Sequence, residues 1–114
     1  ELPLEPKCAD GASALLFDGS PDVLGPRFHG HVVSLGERAF TARLGEIGLA
    51  QLTSRLGTGS FGFRIVAGAE SWSGHGSLVA ARYVDVPGGA IEVAVVTESK
   101  AGRRLRRAFR RRRA

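Results

Sequence analysis

Residues 27–44 read RFHGHVVSLGERAFTARL, and this stretch decides the fold. It contains two runs, Arg27 to Leu35 and Arg38 to Leu44, separated by Gly36-Glu37. Two runs joined by two residues that include a glycine predict a β-hairpin. In the second run Ala39, Thr41 and Arg43 alternate with Phe40, Ala42 and Leu44. That period of two puts the two sets on opposite faces, the pattern of a half-buried strand.

Working outward, the same grammar repeats. Ala14 to Phe17 is a short apolar run stopped by Asp18-Gly19-Ser20-Pro21, a strong turn signal. Phe61–Ala67, Ser77–Val86 and Ala90–Thr97 read as three further strands, the last two joined by the turn Pro87-Gly88-Gly89. Glu46 to Leu56 carries Ile47, Leu49, Leu52 and Leu56 at helical spacing around an internal Gly48, which leaves a short helix or an irregular segment. Six short strands with glycine turns leave no room for the crossover helices of a parallel sheet. The expected fold is mostly β, a small antiparallel barrel of about six strands closed by a basic C-terminal α-helix. Its expected parts are a lead-in with a short strand over 1–26, the barrel over 27–98, and the helix over 99–114.

The helix is read from Lys100 to Ala114, KAGRRLRRAFRRRRA. Ser99 is the expected N-cap, and Ala101, Leu105, Ala108 and Phe109 form a narrow apolar stripe at helical spacing. Lys100 and eight arginines give this segment a charge of +9, whereas residues 1–99 hold seven Lys/Arg against eleven Asp/Glu, or −4. The net +5 therefore hides an acidic body joined to a basic end, an asymmetry that concerns binding. Leu105 and Phe109 are expected to pin the helix while outer arginines stay free. The candidate polyanion-binding residues are Arg103, Arg104, Arg106, Arg107, Arg110, Arg111, Arg112 and Arg113.

Other motifs carry less. At 114 residues the chain makes one domain, able to bury roughly two thirds of its unfolded surface. A single cysteine, Cys8, rules out an internal disulfide framework. No run of about 18 apolar residues is present, and no charged segment followed by an apolar one opens the chain, so neither a membrane span nor a secretory signal is expected. Gly57-Thr58-Gly59-Ser60-Phe61-Gly62 matches G-x-G-x-x-G, but a strand follows it where a dinucleotide site needs a helix. A kinase reading fails for want of a downstream strand lysine and of H-R-D and D-F-G segments. His29, His31 and His75 supply three nitrogens for a metal centre. Histidines two apart on a strand are more commonly half-exposed surface residues, and nothing supplies carboxylates to orient them, so no metal or other cofactor is expected. Trp72 is read as a core anchor in preference to an exposed stacking platform.

The order of these elements resembles the PilZ family. Phe28 to Leu35, then Gly36-Glu37-Arg38-Ala39-Phe40, is similar to the second half of its signature. Ser77 to Arg82 and Ala90 to Val96 look like its later strands, with Arg103 to Phe109 as its closing helix. The resemblance covers roughly residues 27–110. It implies a small barrel from a family of bacterial regulatory domains, many of which bind cyclic di-GMP. On the family motif, however, Ser34 stands where the aspartate belongs, Gly36 where the serine belongs, and Ala39 where the glycine belongs. The preceding R-x-x-x-R element is absent from residues 1–26, where Lys7 is the only cation. A degenerate member of this kind is expected to bind no cyclic di-GMP. It would act as a non-catalytic regulatory or interaction module in the cytoplasm or peripherally at the inner membrane, its arginine helix meeting a protein partner or an anionic membrane. A nucleic-acid-binding or ribosome-associated role is the first alternative, with the same arginines on phosphates. A second resemblance, of Trp72-Ser73-Gly74 and Gly89 to Val96, is to the C-terminal β-sandwich of lipid-kinase-type enzymes, and implies no activity by itself.

Overall fold

A computed structural model describes residues 12–17, 27–44, 60–85 and 90–113. The described chain runs β1 (Ser13–Phe17), β2 (Arg27–Leu35), β3 (Ala39–Leu44), β4 (Ser60–Ala67), β5 (Glu70–Val84), β6 (Ala90–Thr97) and α1 (Arg103–Arg113). Hydrogen bonding closes the strands into an antiparallel barrel in the order β1-β2-β3-β6-β5-β4. The short first strand is a full stave, paired with β2 through Ala14↔Gly30 and with β4 through Ala14↔Ile65. The barrel therefore starts at Ser13, not at residue 27. Without β1 the edges of β2 and β4 would stand open, which is the liability that closure removes.

The β2–β3 hairpin forms, with one refinement. Gly36 N–H donates to the Ala39 carbonyl at 2.9 Å, so the two loop residues are Glu37-Arg38 and the glycine precedes them. Val33 is an extra residue opposite β3, because the register moves from Val32↔Ala42 to Ser34↔Thr41. Beyond this bulge the Ser34 and Thr41 hydroxyls meet at 2.7 Å on the outer surface. Phe40, Ala42 and Leu44 are buried while Ala39, Thr41 and Arg43 point outward, as the alternation requires.

The fifth strand is longer than its sequence pattern. It begins at Glu70 instead of Ser77, taking in the glycine-rich ESWSGHG, and it stops at Val84. Glycines at 74 and 76 look like loop residues locally. In the barrel they face inward, where a Cβ on Gly76 would sit 2.7 Å from the Val96 carbonyl oxygen and 2.8 Å from Val95 Cγ1. Gly68, with φ at 63°, makes the two-residue turn from β4 into β5, a left-handed conformation that favours glycine. The expected turns at Asp18–Pro21 and Pro87–Gly89, the segment Glu46–Leu56, Cys8, and residues 57–59 of the G-x-G-x-x-G stretch lie outside the described residues; Ser60, Phe61 and Gly62 of that stretch belong to β4.

Phe40, Phe61, Phe63, Leu16, Leu44 and Ile65 are among the largest fully buried side chains. Phe63 stands edge-on to Phe40 at 5.2 Å and to Trp72 at 4.9 Å, so the three rings run as a chain toward one mouth of the barrel.

Candidate polyanion-binding helix face

In a closed antiparallel barrel β2, β4 and β6 all run toward one end, which brings together the β2–β3 turn, the β4–β5 turn and the exit from β6. The β4–β5 hairpin projects past that exit: Thr97 pairs with Gly76, leaving Glu70 to His75 without a β6 partner in the ladder. The projecting inner surface, Phe63 and Ile65 beside Trp72, is apolar and must be covered. Helix α1 covers it, packing against β5 and β4. Ala101, Leu105, Ala108 and Phe109 are 4%, 3%, 5% and 6% exposed and belong to the same core cluster as the barrel interior. The expectation for Leu105 and Phe109 is met.

The helix is held by a set of polar contacts at its root. Ala101 N–H donates to the Glu37 carbonyl at 2.7 Å and Thr97 N–H to the Arg38 carbonyl at 2.9 Å, so both loop carbonyls of the β2–β3 turn are satisfied. Ser99 does not cap the helix. Its hydroxyl accepts from Trp72 Nε1 at 3.3 Å and its carbonyl accepts from the Thr97 hydroxyl at 2.7 Å. The first helical bond instead runs from Arg106 N–H to the Gly102 carbonyl at 3.1 Å, which makes Gly102 the residue in the cap position. Trp72 is partly buried and packed on the core, in agreement with the anchor reading.

Seen down its axis, α1 sorts its arginines. At about 100° per residue, Arg103, Arg104, Arg107, Arg110 and Arg111 occupy an arc of about 120° opposite the buried side chains, over about 12 Å of axis. All five are exposed, and among the described residues no carboxylate pairs with any of them. Arg106 departs from the candidate set. Its side chain is only 25% exposed and reaches Glu37 at 3.7 Å, with Nε buried and without a hydrogen-bond partner, so it serves as a strut between helix and hairpin. Arg112 and Arg113 belong to the last turn, and their side chains lie outside the described set. No acidic residue stands in the first turn to offset Arg103 and Arg104 at the positive end of the helix dipole.

On the barrel wall one carboxylate is matched by two arginines. Glu92 on β6 bridges Arg43 on β3 at 3.3 Å and Arg82 on β5 at 2.7 Å, each directly opposite it in register. The Arg82 hydrogen bond is the main reason the Glu92 carboxyl lies below the usual carboxylate range, with the Arg43 hydrogen bond adding to it against the opposing cost of burial. Arg64 Nε donates to Ser73 at 3.2 Å. A shallow depression beside Glu92, lined by Thr41, Ala80, Arg82 and Ala94, opens on the outer wall.

His29 and His31 lie on β2 and His75 on β5, strands separated by two staves in either direction round the barrel. The three nitrogens of the metal reading are thus not brought together, and among the described residues no group of three His, Cys, Asp or Glu is placed to hold a metal. Ser34, Gly36 and Ala39, the positions of the PilZ-like motif, are all exposed around the β2–β3 turn. Among the described residues no helix is long and apolar enough to cross a membrane. Glu37 is the residue that sequence reading missed: its partners Ala101 and Arg106 are more than sixty positions away, and no local pattern announces them. No protein-family model, no curated protein and no solved structure matches this chain.

Proposed function

We propose that this protein is a non-catalytic interaction module in which a small barrel presents one arginine face to an extended polyanion. One observation carries the reading: the helix spends its apolar side chains on the barrel core and exposes Arg103, Arg104, Arg107, Arg110 and Arg111 together on the opposite side. Five like charges at i, i+3 and i+4 spacing repel one another, and an anion laid along them removes that cost. The barrel acts as a rigid mount that keeps the face assembled before any partner arrives. A regulatory barrel of PilZ-like type without its nucleotide motif is compatible with this use, since the face does not involve Ser34, Gly36 or Ala39.

Charge neutralisation is a cleaner test than deletion, because removing α1 would uncover Phe63 and Trp72. The triple variant Arg107→Gln/Arg110→Gln/Arg111→Gln is compared with the unaltered chain on immobilised heparin. The variant should elute at much lower salt while the fluorescence of Trp72 stays unchanged. Elution at the same salt would refute the proposal.

A further inference from the structure

We infer that the polyanion is the phosphate backbone of double-stranded DNA, met in a groove and without base readout; this rests on the polyanion reading above. The width of the arginine arc is the first reason. Cations spread over about 120° of a helix about 10–12 Å across diverge, so a flat surface would meet only the crest around Arg107. A major groove about 12 Å wide places phosphates on both flanks, where Arg103 and Arg110 on one side and Arg104 and Arg111 on the other can reach them together. A major groove in duplex RNA is deep and narrow and does not admit the helix.

The second reason is the composition of the face. Guanidinium groups pair with phosphate oxygens through two parallel hydrogen bonds, a geometry lysine lacks, and every cation on this face is arginine. Single-strand binders add exposed aromatic rings on which bases stack. Here Phe28, Phe40, Phe61, Phe63 and Phe109 are all buried, and Trp72 is held between Phe63 and Ser99. Tyr83, the exposed ring among the described side chains, is at the far end of β5 from the helix.

The third reason concerns lipid. Helices that lie on membranes bury an apolar face in the headgroup boundary. Leu105, Ala108 and Phe109 cannot do so while they fill the mouth of the barrel. A plane of anionic lipid would also approach Glu37, Glu70 and Glu98, which sit at the same end of the barrel, whereas a groove engages the helix ridge alone.

The test is fluorescence anisotropy with a labelled 20-base-pair DNA duplex, a second duplex of unrelated sequence, an RNA duplex and an oligothymidine strand of equal length. Binding to vesicles containing phosphatidylserine is measured beside it by co-sedimentation. Three to five phosphate contacts give a log–log salt slope of about −2.7 to −4.5, a loss of about 40- to 500-fold in affinity between 50 and 200 mM salt. The two DNA duplexes should bind within about twofold of each other and at least about tenfold more tightly than the strand, the RNA or the vesicles. Arg107→Gln, at the centre of the arc, should reduce the slope by about 0.9. Equal or tighter binding to the strand, the RNA or the vesicles overturns the inference. So does retention on heparin without duplex binding, which leaves the polyanion reading standing; failure on both removes the two together.

Discussion

Phe109 and Arg110 are neighbours in sequence, and substituting each in turn tests where the helix stops being structure and becomes contact surface. Phe109 is 6% exposed and packs in the core, whereas Arg110 is exposed and among the described residues touches no carboxylate. Truncating a buried phenylalanine to alanine costs about 3–5 kcal/mol. An eleven-residue helix crowded with like charges has little stability of its own, so it cannot undock and remain a helix. The loss therefore falls on the cooperative unit, which for a domain of this size is stable by about 5–15 kcal/mol. With a urea slope of about 1.5 kcal/mol per molar, a loss of about 3 kcal/mol lowers the unfolding midpoint by about 2 M in Phe109→Ala. Arg110→Ala should stay within about 0.5 kcal/mol of the unaltered chain, or about 0.3 M, with any change upward because a repulsion is removed. The assay is urea unfolding followed by far-ultraviolet circular dichroism and by fluorescence. The chain holds one tryptophan, and Trp72 bonds to Ser99 just ahead of the helix, so its emission reports docking directly. A midpoint for Phe109→Ala within about 0.3 M of the unaltered protein would show that the helix is not part of the folded unit. The division of the helix into a buried and a binding side would then fall.

Three further outcomes follow from the barrel. A Cβ on Gly30 would lie far inside van der Waals contact distance of the Arg43 carbonyl oxygen, which is backbone and cannot give way, so Gly30→Ala should cost at least about 3 kcal/mol. At Gly74 the neighbours are the Phe63 ring edge at 3.2 Å and the Ser99 hydroxyl at 3.3 Å, so Gly74→Ala should cost less than about 1 kcal/mol while shifting Trp72 emission; equal thermal stability of the two variants would contradict the register. Glu92 titrates below its unfolded value of 4.5, so its contribution is complete above that pH and disappears as pH falls through the folded value. Glu92→Gln should lose less stability than the unaltered chain between pH 5 and pH 2.5, read as the melting temperature against pH, and parallel curves would refute the Arg43–Glu92–Arg82 bridge.

Much of the barrel was legible because strand alternation is local. Six residues of alternation put Phe40, Ala42 and Leu44 on one face, and the closed sheet turns that face inward. The failures were also local in origin. Glu70–Gly76 reads as a loop because glycines at 74 and 76 carry no strand preference, yet the barrel needs them where side chains from β4 and β6 close in. Ser99 looks like a cap until the Trp72 indole, on another strand, takes its hydroxyl.

Charge and periodicity by themselves specify an acidic body that carries a basic helix with one apolar stripe. Two things required the closed barrel. One is which arginines are free: Arg106 matches its neighbours in sequence, but Glu37, brought alongside by the β2–β3 turn, takes it out of the face. The other is that Leu105 and Phe109 are already occupied, because a β4–β5 hairpin longer than β6 leaves an apolar wall that the following helix covers. Composition specifies how much charge and apolar surface a segment carries. Which side each faces is set by partners distant in the chain, and only the fold supplies those.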